Sequence, residues 1–246
     1  MRRIKLIVAY DGTEYSGWQI QPEAPTIEMY LDKAIRELTG ENVHVTGASR
    51  TDAGVHAYGN VAVFDTESTI PGDRFTFALN RFLPDSIVIQ DSWEVSVDFH
   101  PRHCDTRKTY EYRILNTAVP LPQKRNFTWH VAGSIDIEKM KEAAAYIVGE
   151  HDFKSFCQTG AQVESTVRTI YSVEVEEQGE NDLVIRVCGN GFLYNMVRII
   201  AGTLLDIGQG KRDPMDIFTI LEAKDRSAAG PTAPAHGLTL VKYEFL

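Results

Sequence analysis

The chain has 246 residues, 43% of them hydrophobic and 24% charged, with a formal net charge of -9. Such a composition suits one large core or two small ones and excludes disordered and collagen-like chains. No apolar run approaches the roughly 20 residues of a membrane-spanning helix, the segment from Met1 to Asp11 has too short an apolar core for a signal peptide, and Cys104, Cys157 and Cys188 are too scattered for a disulfide framework, so the expectation is a reduced, cytoplasmic protein that engages no membrane.

In chain order, a strand is predicted near 4–10, then a helix from Thr26 to about Leu38 on which Ile27, Tyr30, Leu31, Ala34, Ile35 and Leu38 form one apolar stripe. Strands near 43–46 and 60–65 flank the loop Gly47-Ala48-Ser49-Arg50-Thr51-Asp52-Ala53-Gly54-Val55-His56-Ala57-Tyr58-Gly59. Glycines at 47, 54 and 59 permit close backbone approaches, so the loop reads as a scaffold presenting the Asp52 carboxylate, or as a plain turn whose Ser49, Thr51 and Asp52 satisfy local amides. A helix near 72–82 and a strand near 86–97 complete a first half, 1–105.

The second half, 106–246, opens with a strand at 108–116 whose alternation puts Tyr110, Tyr112 and Ile114 on one face, as core or as a stacking surface. A helix near 136–149 turns Met140, Ala144, Ile147 and Val148 inward, and strands follow near 166–178 and 182–189, with Tyr171, Val173 and Val175 inward against Ser172, Glu174 and Glu176. The stretch from Gly191 to Asp206 reads as a helix apolar around most of its circumference, hence interior. A helix near 213–223 and a strand at 238–246 end the chain as given. The expected fold class is α+β: two similar halves whose antiparallel sheets join, with helices on one side and a central cleft.

Arg198 is the one cation in the apolar helix, and a buried guanidinium needs an anion opposite it. Asp52 is the candidate; alternatively Asn195, Arg198, Gly202 and Asp206 are the wet stripe of the helix. From His100 to His130 there are six Lys and Arg (Arg102, Arg107, Lys108, Arg113, Lys124, Arg125) against two acids, Asp105 and Glu111, whereas Glu174, Glu176, Glu177, Glu180 and Asp182 lie together without a cation. Cations among aromatics suit nucleic acid, so a basic cleft with an acidic back is expected despite the net charge. His100-Pro101-Arg102-His103-Cys104-Asp105 lacks the second ligand pair of a zinc site, and Val187 to Tyr194 has Tyr194 where a dinucleotide fingerprint needs glycine.

The Gly47–Gly59 loop, Tyr10-Asp11-Gly12-Thr13-Glu14-Tyr15-Ser16-Gly17-Trp18-Gln19-Ile20-Gln21, Arg107-Lys108-Thr109-Tyr110, Asn195-Met196-Val197-Arg198 and Thr232-Ala233-Pro234-Ala235-His236-Gly237-Leu238 together resemble the TruA family of tRNA pseudouridine synthases, in order and over essentially the whole chain. The resemblance implies an isomerase that breaks the N-glycosidic bond of uridine in the tRNA anticodon stem-loop, at positions 38, 39 and 40, and rejoins the ring through carbon 5. It implies no cofactor and no metal, and a homodimer. By position in the motifs, Asp52 is the nucleophile, Arg198 its ion-pair partner, and Tyr110 stacks on the target uracil. Arg50 fills the gap left by the flipped nucleotide, and His56, Arg107 and Lys108 join Tyr110 and Arg50 in binding substrate. Attack on the ring and attack on the sugar both use one aspartate, and residue types do not separate them. The alternative is a non-catalytic RNA-binding module in which Asp52 and Arg198 form a structural ion pair.

Overall fold

In the computed structural model, which describes residues 1–160 and 163–246, alternation along the first strand, β1 (Arg2–Tyr10), buries Ile4, Leu6, Val8 and Tyr10. This strand lies between β3 (His56–Thr66) and β4 (Ile87–Val95), antiparallel to both, with the short β2 (Thr46–Gly47) paired to β3. Helix α1 (Ile27–Thr39) starts at Thr26, whose hydroxyl accepts from the Met29 amide, stops at Gly40 in the left-handed region (φ 77°), and contributes Ile27, Leu31, Ala34 and Ile35 to the core. These elements and α2 (Phe75–Leu79) belong to a unit comprising Met1–Asp105 and Leu240–Leu246. The last strand, β10 (Leu238–Phe245), runs beside β3.

A second unit, Thr106–Thr239, is built on β5 (Thr106–Asn116), β9 (Asp182–Gly189), β8 (Val167–Gln178) and β7 (Gly149–Asp152), each antiparallel to the next, with β6 (Trp129–Val131) parallel to β5. Helix α3 (Ile137–Ile147) packs on β8 and on α4 (Met196–Gly208), which is buried along most of its length, and α5 (Asp216–Ala223) follows. Both units join antiparallel sheet to helices, the expected α+β class.

Local chemistry moved several predicted boundaries. The segment 43–45 is not strand, because the buried Asp32 carboxylate accepts from the Val45 amide at 2.8 Å and meets the His44 ring at 2.9 Å, so pairing begins only at Thr46. The helix expected over 72–82 shrinks to α2, since the Asn80 side chain turns to the Ile89 backbone, donating to its carbonyl and accepting from its amide at 2.9 and 2.7 Å. Val148 is exposed, not inward, because α3 ends at Ile147 and the chain extends into β7. A bulge between Ile170 and Ser172 resets the alternation of β8, burying Ile170 and leaving Tyr171 exposed. Helix α4 begins at Met196, after Asn195 at φ 60°, so Gly191 to Tyr194 form its entry turn.

Candidate active site

The Asp52 loop is fastened at Ser49, Thr51 and Gly54. A register shift between β1 and β3, in which Val8 faces Asn60 while Tyr10 faces Ala57, turns a fully buried Asn60 under the loop. Its amide brackets Ser49, accepting from the Ser49 amide at 3.2 Å and donating to the Ser49 carbonyl at 2.8 Å. The Tyr10 phenol meets the Thr51 hydroxyl at 2.7 Å and accepts from Asn60 at 3.3 Å; burial drives this phenol far above its ordinary pKa, so it stays a neutral hydrogen-bonding group. From above, the Trp18 amide donates to the Thr51 carbonyl at 3.0 Å, and the Gly54 amide donates to Tyr15 at 3.1 Å.

Two glycines make this closeness possible. A Cβ on Gly12 would sit 2.1 Å from the Val55 carbonyl oxygen, and one on Gly17, already at φ 92°, 2.6 Å from that of Thr51. Asp52 is half-buried on this frame and Arg50 is exposed. His56, expected at the substrate, is only 2% exposed. Its Nδ1 accepts from the Gly12 amide at 3.0 Å, which puts the proton of the neutral ring on Nε2. Asp11 Oδ1, 3.2 Å from the same nitrogen, is in that tautomer a close contact and not a hydrogen bond. His56 thus braces the 11–13 turn against the loop.

In the second unit, β5 separates the residues grouped there by sequence. Tyr110 (8% exposed) and Tyr112 (0%) share a face with Lys108, whereas Arg107 projects with Glu111 and Arg113 from the other. The Tyr110 ring stands edge-on to Phe192 at 5.2 Å. Tyr112 is core: its hydroxyl donates to the Pro234 carbonyl at 2.8 Å, and burial, opposed by the charge of Arg198, raises its pKa well above the ordinary tyrosine range. Arg107 lies over the exposed Tyr171 ring at 4.9 Å.

The segregation of charge is incomplete. Lys124 pairs with Asp182, and Glu111 is held by Arg113 at 2.7 Å and by Arg186 at 2.9 Å, with Arg186 also reaching Glu174 at 2.9 Å.

Arg198 sits half-buried in the first turn of α4. Its Nε donates to the Ala233 carbonyl and its Nη1 to Asn195 Oδ1, both at 2.7 Å. The stripe it shares is not a wet face, because a Cβ on Gly202 would meet the Pro231 carbonyl oxygen at 2.0 Å: the segment 231–234 lies directly on the helix.

The family model described as tRNA pseudouridine synthase matches residues 6–103 and 143–245. The proteins named tRNA pseudouridine synthase A from Ruminiclostridium cellulolyticum and Acetivibrio thermocellus are 52% and 50% identical over 242 residues, each alignment covering 98% of this chain and 99% of the relative. The one from Brevibacillus brevis is 49% identical over 240 residues, 98% of both chains. The chain belongs to the tRNA pseudouridine synthase family. It is therefore an enzyme, and the chemistry of the family is isomerisation.

For a tRNA pseudouridine synthase, the sequence signal of Thr232 to Leu238 now has a physical content. Ala233 and Pro234 hold Arg198 and Tyr112 through backbone carbonyls, and Arg226 reaches the Thr232 hydroxyl at 2.9 Å. Sequence reasoning assigned no role to Tyr10, Trp18 or Asn60, although a polar Asn inside an apolar strand was an available signal, as was Trp18, whose fully buried ring lies 2.2 Å from where a Cβ on Gly47 would sit. His100 and His103 stack face to face at 3.9 Å, and among the described residues no three His, Cys, Asp or Glu side chains converge as metal ligands.

Proposed function

We propose that this enzyme converts uridine to pseudouridine in the anticodon stem-loop of tRNA, at positions 38, 39 and 40, with Asp52 as nucleophile. The observation that carries the reading is the Asp52 frame: bonds from Asn60, Tyr10, Trp18 and Gly54 fix the backbone on both sides of a half-buried carboxylate. Chemistry at a glycosidic carbon or a uracil ring needs a nucleophile held near attack geometry, and covalent catalysis divides one difficult displacement into easier steps.

In this reading the target nucleotide leaves the helical stack and Arg50, exposed on the same loop, occupies the space it vacates. Tyr110 stacks on the uracil, with Lys108 on the same strand face for backbone phosphate, and Arg107 adds an outer phosphate contact. Arg198 pairs with Asp52 and favours its charged form; its tethers to Ala233 and Asn195 support this by fixing the guanidinium plane. The enzyme is read as a cytoplasmic homodimer on family resemblance.

The test is to treat an unmodified tRNA transcript with the protein and map pseudouridine by carbodiimide adducts and primer extension. Modification confined to positions 38, 39 and 40 is expected. Modification only outside the anticodon arm would overturn the assignment.

A further inference from the structure

Arg168 has no part in the reading above, yet it lies on the Tyr110 face of the second unit with its guanidinium fixed by neutral acceptors. Its Nη1 donates to two backbone carbonyls, Val167 at 2.6 Å and Ser165 at 3.0 Å, which fixes the guanidinium plane without neutralising it. Among the described residues no carboxylate pairs with it. Burial pushes it below the ordinary guanidinium pKa, with the Cys157 thiol acting weakly the other way. A half-buried cation that gives up hydration for neutral acceptors alone retains a strong demand for an anion.

Its surroundings are continuous with Tyr110. That ring touches Phe192, a Cβ on Gly189 would lie 3.3 Å from Phe192 and 2.9 Å from Ile170, and a Cβ on Gly191 would lie 3.7 Å from the Arg168 Nε. Arg168 shares the alternation of the buried Ile170, so it faces the same side of the sheet as Tyr110. The missing side chain at Gly191 leaves the guanidinium edge approachable.

We propose that Arg168 binds a backbone phosphate of the RNA strand that presents the target nucleotide, and so positions that strand across Tyr110. The proposal rests on the RNA substrate argued above.

The experiment measures tRNA affinity against salt for the native protein, Arg168→Gln, Arg168→Lys and Gly191→Asp, with thermal melting of each. Loss of one phosphate contact lowers the slope of log Kd against log salt by about 1. Arg168→Gln is expected to show that drop, and Arg168→Lys to keep the native slope. Gly191→Asp sets a carboxylate against the intact arginine and should mimic Arg168→Gln even if the latter folds poorly. Native slopes in both Arg168→Gln and Gly191→Asp would overturn the proposal, whereas failure of the native protein to bind tRNA would overturn the function on which it rests.

Discussion

Asn60→Ala separates the frame from the chemistry it supports. The substitution removes both bonds to Ser49, at 3.2 and 2.8 Å, and the longer contact with the Tyr10 phenol at 3.3 Å. Asn60 and Ser49 are 0% and 5% exposed, so the Ser49 amide and carbonyl are left buried without partners. Each such group costs about 1–3 kcal/mol, and partial relaxation brings the sum to about 2–4 kcal/mol. In a chain of this size that lowers the melting temperature by roughly 4–15 °C.

Because Ser49 lies three residues before Asp52, the carboxylate loses its setting as well. Displacement of a reacting group on the order of 1 Å costs up to about 100-fold, so kcat should fall about 10- to 100-fold with KM for tRNA nearly unchanged. Differential scanning fluorimetry and tritium release from [5-³H]uridine-labelled tRNA, run well below the melting transition, read the two effects. A variant that melts within 1 °C of the native protein with native kcat would refute the claim that Asn60 holds the loop.

The structure makes two further predictions outside the loop. Gly202→Ala drives a methyl to within 2.0 Å of the Pro231 oxygen, so the segment that holds Arg198 through Ala233 must move; a melting temperature lowered by roughly 5 °C or more and a fall in kcat are expected, and an unchanged melt would show that the segment yields freely. Burial raises the folded-state pKa of Tyr10 and Tyr112 above the ordinary 10.0. Their contribution is therefore complete below about pH 10 and is lost as pH rises above it, because the unfolded chain releases protons that the fold retains. Thermal melts of Tyr112→Phe should show a shallower alkaline decline than the native protein, and identical declines would remove Tyr112 as a source.

The elements legible in the sequence are those whose pattern is a direct image of burial. The stripe of α1 and the alternation in β1 are of this kind, since each apolar side chain needs the same core. The loop around Asp52 was legible for a different reason: glycines among short polar residues between apolar strands mark irregular backbone, and residues 48–55 are neither strand nor helix. What escaped was carried by single polar contacts. Asp32 captures the Val45 amide and removes a predicted strand, and one extra residue in β8 turns Tyr171 outward. The clamp on Arg198 and Tyr112 was invisible because backbone carbonyls of Ala233 and Pro234 do the holding, and a carbonyl carries no residue identity. The bracing of the 11–13 turn by His56 was not legible either, because a histidine in a motif does not say which backbone amide its ring will accept from.

The most direct test of the nucleophile is tritium release by the native protein and by Asp52→Asn, on the same labelled tRNA and in EDTA, with tRNA binding measured alongside. The account predicts metal-independent release by the native protein and none above background from the variant, whose tRNA affinity stays within about threefold of native. Release by Asp52→Asn at the native rate would contradict it.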